Sequence, residues 1–179
     1  MAALFQWSIL NDLPFNIRKC SFISFTRSST YLDFNYDIFG KILSRVNVIK
    51  DLGIFRDTDL KFDDHLDMVI SKAHGFLMKN CKDIYNKNTL LHLYKTLMVS
   101  QLTYCSQIWS PYKLNRIKVL ESSQHRFVRH FFFNFGTPMD WFDQNFQLKL
   151  EELSLPTISY LHTVLSNKVV FKSINVLNT

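Results

Sequence analysis

Glycine and proline are scarce in this sequence, with four of each among 179 residues. This scarcity excludes a collagen-like repeat, a Gly/Ser- or Pro-rich linker and a turn-dense all-β fold. In their place the chain is 47% hydrophobic and contains 17 phenylalanines. The length suits one domain or two small lobes with a real core. We therefore expect a helix-rich fold with aromatic packing.

Cysteine is also sparse, and no long apolar run is present. Cys20, Cys81 and Cys105 are odd in number and widely spaced, and no CxxC occurs, so neither a disulfide framework nor a zinc site is indicated. The first residues lack the basic and apolar regions of a signal peptide. No segment approaches the roughly 20 apolar residues of a membrane span. We expect an intracellular protein with buried thiols and no membrane partner, in the cytoplasm or the nucleus.

Motifs for catalysis and metal binding are missing from the sequence. The six histidines stand singly, without HExxH spacing. Acidic residues cluster between Asp57 and Asp67, but they lack the central glycine of an EF-hand loop. Helix capping and charge placement at a helix N-terminus explain Asp63, Asp64 and Asp67 more simply. From the residues alone we predict no catalytic residue, no metal site and no cofactor.

The elements change character near residue 60. A short helix within residues 4–13 is followed by strand-like segments at Arg18–Thr26, Tyr31–Leu43 and Val46–Phe55. Apolar residues at helical spacing then predict helices at Asp63–Cys81, Asn88–Trp109, Lys113–Phe133, part of Met139–Leu153, and Pro156–Ile174. The fold class is therefore α+β: a small antiparallel sheet with one helix in residues 1–60, then a helical bundle in residues 61–179.

The formal net charge of +6 is concentrated in one predicted helix. Between residues 113 and 130, Glu121 is the sole acidic residue. The basic residues there are Lys113, Arg116, Lys118, Arg126 and Arg129. Such a segment can attract phosphate backbones. A solvated helix face is the alternative explanation.

Three collinear stretches carry a resemblance to a known family. They are Trp7–Cys20 (WSILNDLPFNIRKC), Lys50–Ala73 (KDLGIFRDTDLKFDDHLDMVISKA), and Leu93–Tyr112 (LYKTLMVSQLTYCSQIWSPY) with Leu120–Phe127 (LESSQHRF). Together they resemble the C-terminal part, the end of the palm plus the thumb, of non-LTR (LINE-type, jockey-like) retrotransposon reverse transcriptases. The resemblance covers most of the chain, from Trp7 to about Val176.

This resemblance implies an RNA-directed DNA polymerase fragment without its catalytic aspartates. The family uses Mg²⁺ bound by aspartates, one pair of them in an Ala-Asp-Asp turn, and this sequence contains no such triplet. By resemblance, Lys19 matches a lysine near the incoming nucleotide, and Leu52, Gly53 and Ile54 match a hairpin that holds the primer end. The basic helix would belong to the thumb, which lies along the template–primer duplex.

The resemblance leaves three functions open. The first, which we favour, is a catalytically inactive fragment that binds an RNA/DNA template–primer duplex without sequence specificity. The second is part of an active polymerase, completed by missing polymerase lobes encoded upstream. The third is an inert or non-enzymatic helical interaction module.

Overall fold

The computed structural model describes residues 2–26, 34–38, 40–81, 84–136 and 146–177. The chain divides into two compact units, Met1–Phe62 and Asp63–Thr179. Strand pairs lie in the first unit and a helical bundle forms the second. The α+β fold class predicted from the sequence is therefore confirmed.

The first unit begins with helix α1 (Ala2–Leu10), which ends before Pro14 as expected. A 3₁₀ turn, Ile17–Lys19, leads into the strands. These are β1 (Ser21–Phe22), β2 (Asp37–Ile38), β3 (Lys41–Ile42), β4 (Ser44–Arg45), β5 (Val48–Asp51) and β6 (Ile54–Asp57).

The strands pair in twos, where we had expected one small antiparallel sheet. β2–β3 and β5–β6 are antiparallel hairpins, while β1 pairs with β4 in parallel. Four of the six strands are only two residues long, and within the described residues each strand has a single paired neighbour. Part of the predicted Tyr31–Leu43 strand pair lies outside the described residues. Gly40 forms the expected turn, with a φ of 71°.

The second unit contains seven helices within the described residues. They are α2 (Asp63–Asn80), α3 (Lys87–Leu93), α4 (Val99–Thr103), α5 (Ser106–Trp109), α6 (Leu114–Phe135), α7 (Phe146–Glu152) and α8 (Ile158–Leu177). A π-helical turn, Tyr94–Met98, joins α3 to α4. The predicted helices at 63–81, 113–133 and 156–174 correspond to α2, α6 and α8. The start of the predicted 139–153 helix lies outside the described residues.

The expected single helix from Asn88 to Trp109 is wrong, because the chain breaks at Tyr104 and Cys105. Cys105 adopts a left-handed conformation with a φ of 50°. A helix break frees backbone carbonyls, and buried carbonyls need new donors. The Trp109 indole Nε1 donates to the Tyr104 carbonyl at 2.8 Å. The helix also begins earlier than the predicted Asn88, since Asn86 caps α3 by accepting from the N–H groups of Asn88 and Thr89.

The core of the second unit is aromatic and aliphatic. The Tyr94 and Phe127 rings stack with centroids 3.7 Å apart, joining the π-helical turn to α6. Both are fully buried, as are Leu120, Leu150 and Ile158. Among the cysteines, Cys81 is buried as expected, whereas Cys20 and Cys105 are partly exposed, and all three are free thiols.

Candidate nucleic-acid interface

Helix α6 has one buried side and one outward side. Its buried side chains recur at three- and four-residue steps and include Leu120, Phe127 and Phe131. Lys118 and Arg126 are exposed and Arg129 is partly exposed, all on the side away from that stripe. Lys118 and Arg129 lie three turns apart, about 16 Å along the axis. We call Lys118, Arg126 and Arg129 the cationic face.

Arg116 lies on the flank of α6 that packs against α2, and its charge is engaged there. Its Nε donates to Asp63 Oδ1 at 2.6 Å, and its Nη1 donates to Asp67 Oδ1 at 3.1 Å. The hydrogen bond to Asp63 is the main cause that holds the pKa of Arg116 above its ordinary value. Either Asp63 or Asp64 was expected to cap α2, and the carboxylate of Asp63 accepts from Arg116. This residue therefore ties α6 to the start of α2.

Arg126 meets the same neighbouring helix farther along. Its Nη1 lies 3.2 Å from Nδ1 of His74 on α2. Since arginine can only donate, His74 Nδ1 must accept, which places the imidazole proton on Nε2, 3.5 Å from Ser123 Oγ. Burial, and then the charge of Arg126, lowers the pKa of His74. Arg126 therefore stays solvent-exposed while a neutral histidine orients its guanidinium.

The other two basic positions have different settings. Lys113 directly precedes α6, and its Nζ lies 5.9 Å from the ring centroid of exposed Tyr112. Lys118 is exposed and forms no ion pair with any residue that the structure describes. Of the five predicted basic residues, the helix thus brings Lys118, Arg126 and Arg129 to one face. Lys113 lies at its start, and Arg116 is turned toward α2.

The positions assigned by resemblance in the first unit form a tight hairpin. Leu52 and Gly53 connect β5 to β6 with φ angles of 47° and 87°. Two successive positive φ angles are the signature of a type I′ hairpin turn. Leu52 is 81% exposed, whereas Ile54 is 1% exposed and belongs to the core. Leu52 and Gly53 are therefore presented to solvent, and Ile54 is not. Lys19 is exposed at the end of the 3₁₀ turn.

A buried polar cluster was not predicted from the sequence. His162 on α8 donates from Nε2 to the Leu102 carbonyl at 2.8 Å, and its Nδ1 accepts from Ser110 Oγ at 3.1 Å. The Trp109 ring packs edge-on against His162, and His65 packs against the same indole. Burial lowers the pKa of both histidines. Their positions are far apart in sequence, so histidine spacing gives no signal of this cluster.

Helix α6 also holds the start of α8 through two polar side chains. The Glu121 carboxylate accepts the Ser159 N–H at 2.7 Å, and Gln124 Nε2 donates to the Pro156 carbonyl at 2.8 Å. A negative group is stabilised at a helix N-terminus, where N–H groups lack partners within the helix. Glu121, the lone acid of the basic segment, therefore has a structural task.

Neither a metal cluster nor a membrane-spanning helix is found in the described part of the chain. No three His, Cys, Asp or Glu side chains come together there to hold a metal ion. Among the same residues, no helix is long and apolar enough to cross a membrane. Comparison of the chain with protein-family models, curated proteins and solved structures finds no match to any of them.

Proposed function

We propose that the second unit binds the phosphate backbone of an RNA–DNA duplex, without sequence specificity, through the cationic face of α6. The supporting observation is that Lys118, Arg126 and Arg129 share the outward side of one long helix whose other side is core. Cations spaced along a rigid helix can track a phosphate backbone, and phosphate contacts carry no base information. The resemblance to a reverse-transcriptase thumb supports the same duplex as ligand.

In this proposal Arg116 is a structural residue and does not contact phosphate. Its guanidinium already serves two carboxylates, so contact with a phosphate would require both ion pairs to be replaced. Lys113 extends the cationic face beyond the start of α6, where it is exposed. Lys19 and the Leu52–Gly53 turn stay assigned by resemblance alone to the nucleotide and the primer end.

The proposal includes no polymerase activity for this sequence by itself. It contains no Ala-Asp-Asp triplet for the Mg²⁺ ions that the resembled family uses. Missing polymerase lobes supplied by upstream sequence would be needed for transfer of nucleotides. An intracellular location, in the cytoplasm or the nucleus, fits three free cysteines and a nucleic-acid ligand.

A second candidate function, a non-enzymatic helical interaction module, is favoured by the Arg116 ion pairs. They show that one of the five basic residues serves packing between α2 and α6. If the other four basic residues also served packing, a nucleic-acid ligand would not be needed to explain the positive charge of this segment.

Fluorescence anisotropy of a labelled RNA–DNA hybrid, measured with the full chain across a salt series, tests the proposal. We expect affinity to fall with salt, since each phosphate contact contributes a log–log slope of about 0.7 to 0.9. Replacing Lys118 and Arg126 together by alanine should weaken binding and reduce the slope by about one to two.

The matched control replaces Lys87 and Lys95, two exposed lysines elsewhere in the same unit, by alanine. It removes the same charge and should leave both affinity and slope nearly unchanged. Equal losses in the two double variants would refute a dedicated face and leave only general charge attraction. Absence of binding at low salt would favour the interaction module.

A further inference from the structure

The outward side of α8 carries a second regular surface, which is apolar. Tyr160, Val164, Asn167, Phe171 and Ile174 follow one another at steps of four, three, four and three residues. This is the spacing of a coiled-coil seam, which brings side chains to one stripe of a helix. All five are exposed, with Tyr160 at 61% and Phe171 at 67%. We call these five residues the α8 seam.

The seam lies opposite the side of α8 that packs into the bundle. Ile158 and His162 are buried, and they point about half a turn away from the seam. From Asn167 to Asn175 every residue of α8 is exposed. Exposed Phe, Ile and Val at regular spacing on a helix mark an interaction surface better than single scattered apolar residues do.

We propose that the α8 seam pairs with the α8 seam of a second copy of this chain. The seam is symmetric in position, because Asn167 occupies the centre of the five residues. In an antiparallel pair a two-fold axis through that point brings Asn167 against its own counterpart, and in a parallel in-register pair each residue meets its counterpart. Paired carboxamides satisfy each other, and an asparagine in such a seam fixes register and the number of helices.

The exposed area of the α8 seam fits a weak symmetric pair. Large exposed side chains contribute on the order of 100 to 150 Å² each at these exposures, so the seam offers roughly 500 Å² per copy. A symmetric pair would bury about 1,000 Å² in total, which is near the lower limit for a specific interface. The pair is therefore expected to be weak and reversible.

The α8 seam is uncharged. Helix α8 contains no acidic residue, and its two basic residues, Lys168 and Lys172, lie outside the seam. A partner recognised by its charge would require charged side chains in the seam itself, and the seam contains none. An uncharged, self-complementary stripe fits an identical stripe.

Sedimentation equilibrium of the full chain over a micromolar concentration series tests the pairing. We expect a monomer–dimer equilibrium that Phe171→Glu weakens at least about tenfold, because a charge would be buried at the contact. Ser173→Glu is the matched control, because it adds the same charge to α8 about 160° away from Phe171. That variant should change the equilibrium by less than about twofold.

Replacement of Asn167 distinguishes pairing through the α8 seam from nonspecific self-association. Asn167→Leu should tighten self-association by removing the polar layer, as expected for a seam position. Asn167→Cys should form a disulfide-linked dimer on mild oxidation much faster than Ser173→Cys, with the three native cysteines giving the same background in both. A monomer at every concentration, or equal effects of the seam and control variants, would overturn the proposal.

Discussion

The bridge from Arg116 to Asp63 and Asp67 makes a quantitative prediction about folding. Arg116→Gln keeps much of the side-chain length but removes the charge and the forked donor. The Arg116 side chain is 24% exposed, and those of Asp63 and Asp67 are 37% and 59% exposed, so water screens both contacts in part. The Asp63 contact is shorter and better shielded, and should carry most of the effect. We expect a loss of about 1 to 2 kcal/mol in the free energy of unfolding.

A double-mutant cycle isolates the pair. Arg116→Gln and Asp63→Asn are measured singly and together by urea unfolding of the full chain, followed by far-ultraviolet circular dichroism of its helices. The coupling energy between Arg116 and Asp63 should be about 1 kcal/mol, and smaller at high salt. The corresponding cycle with Asp67→Asn should give a smaller coupling energy, on the order of 0.5 kcal/mol or less, because that contact is longer and more exposed.

Two results would refute this reasoning. A coupling energy near zero for Arg116 and Asp63 would mean that the bridge contributes nothing to stability. A loss of duplex affinity in Arg116→Gln as large as that of Lys118→Ala, with the fold intact, would place Arg116 at the phosphate. The anisotropy assay must therefore be run well below the unfolding midpoint of each variant.

Three further predictions concern stability. Burial holds the pKa values of His65 and His162 below their ordinary 6.5, so as the pH falls the unfolded chain binds protons before the folded chain does. Stability should be full above pH 6.5 and should fall below it, by at most about 1.4 kcal/mol per pH unit for each histidine. Thermal melts from pH 7.5 to 5.5 measure this fall, and a constant melting temperature would disprove it. Glu121→Ala should lower the free energy of unfolding by about 1 to 2 kcal/mol by leaving the start of α8 without its acceptor. Glu121→Gln keeps an oxygen acceptor and should lower it less in the same urea titration, so equal losses would contradict a role for the acceptor itself. Leu52→Asn should stabilise the hairpin by about 0.5 to 1 kcal/mol, since asparagine tolerates the left-handed conformation, while Gly53→Ala should destabilise it. Hydrogen exchange of the β5–β6 amides measures both effects, and slower exchange in the alanine variant would contradict the type I′ turn.

The long helices could be predicted from the sequence because their signal is local. Asp63–Asn80 and Leu114–Phe135 repeat apolar residues at helical spacing, and Gly136 follows the second of them as its C-cap. The break at Tyr104 and Cys105 could not be predicted in this way. It depends on the Trp109 indole, which supplies a donor to the Tyr104 carbonyl once the chain has folded back.

The basic residues of the candidate site could be predicted from the sequence, but which of them are engaged in packing could not. The basic segment is visible in the sequence, yet the role of Arg116 depends on α2 running alongside α6. Contacts from Asp63 to Arg116, His74 to Arg126 and Cys81 to His130 show that the two helices run in the same direction. Residues about 50 positions apart meet at each of these points, and no local pattern specifies such pairings.

The same contacts explain why binding and folding should be separable in this chain. Helix α6 is fixed by three contacts: Arg116 binds α2, Glu121 binds the start of α8, and Phe127 stacks in the core. Lys118 is needed for none of these tasks, so its exposed side chain projects from a helix that is already rigid. Removing Lys118 costs the fold little, whereas a ligand gains from a surface that needs no ordering on binding. The exposed charge of Lys118, which takes no part in these contacts, is the feature that favours a phosphate ligand over a purely structural role.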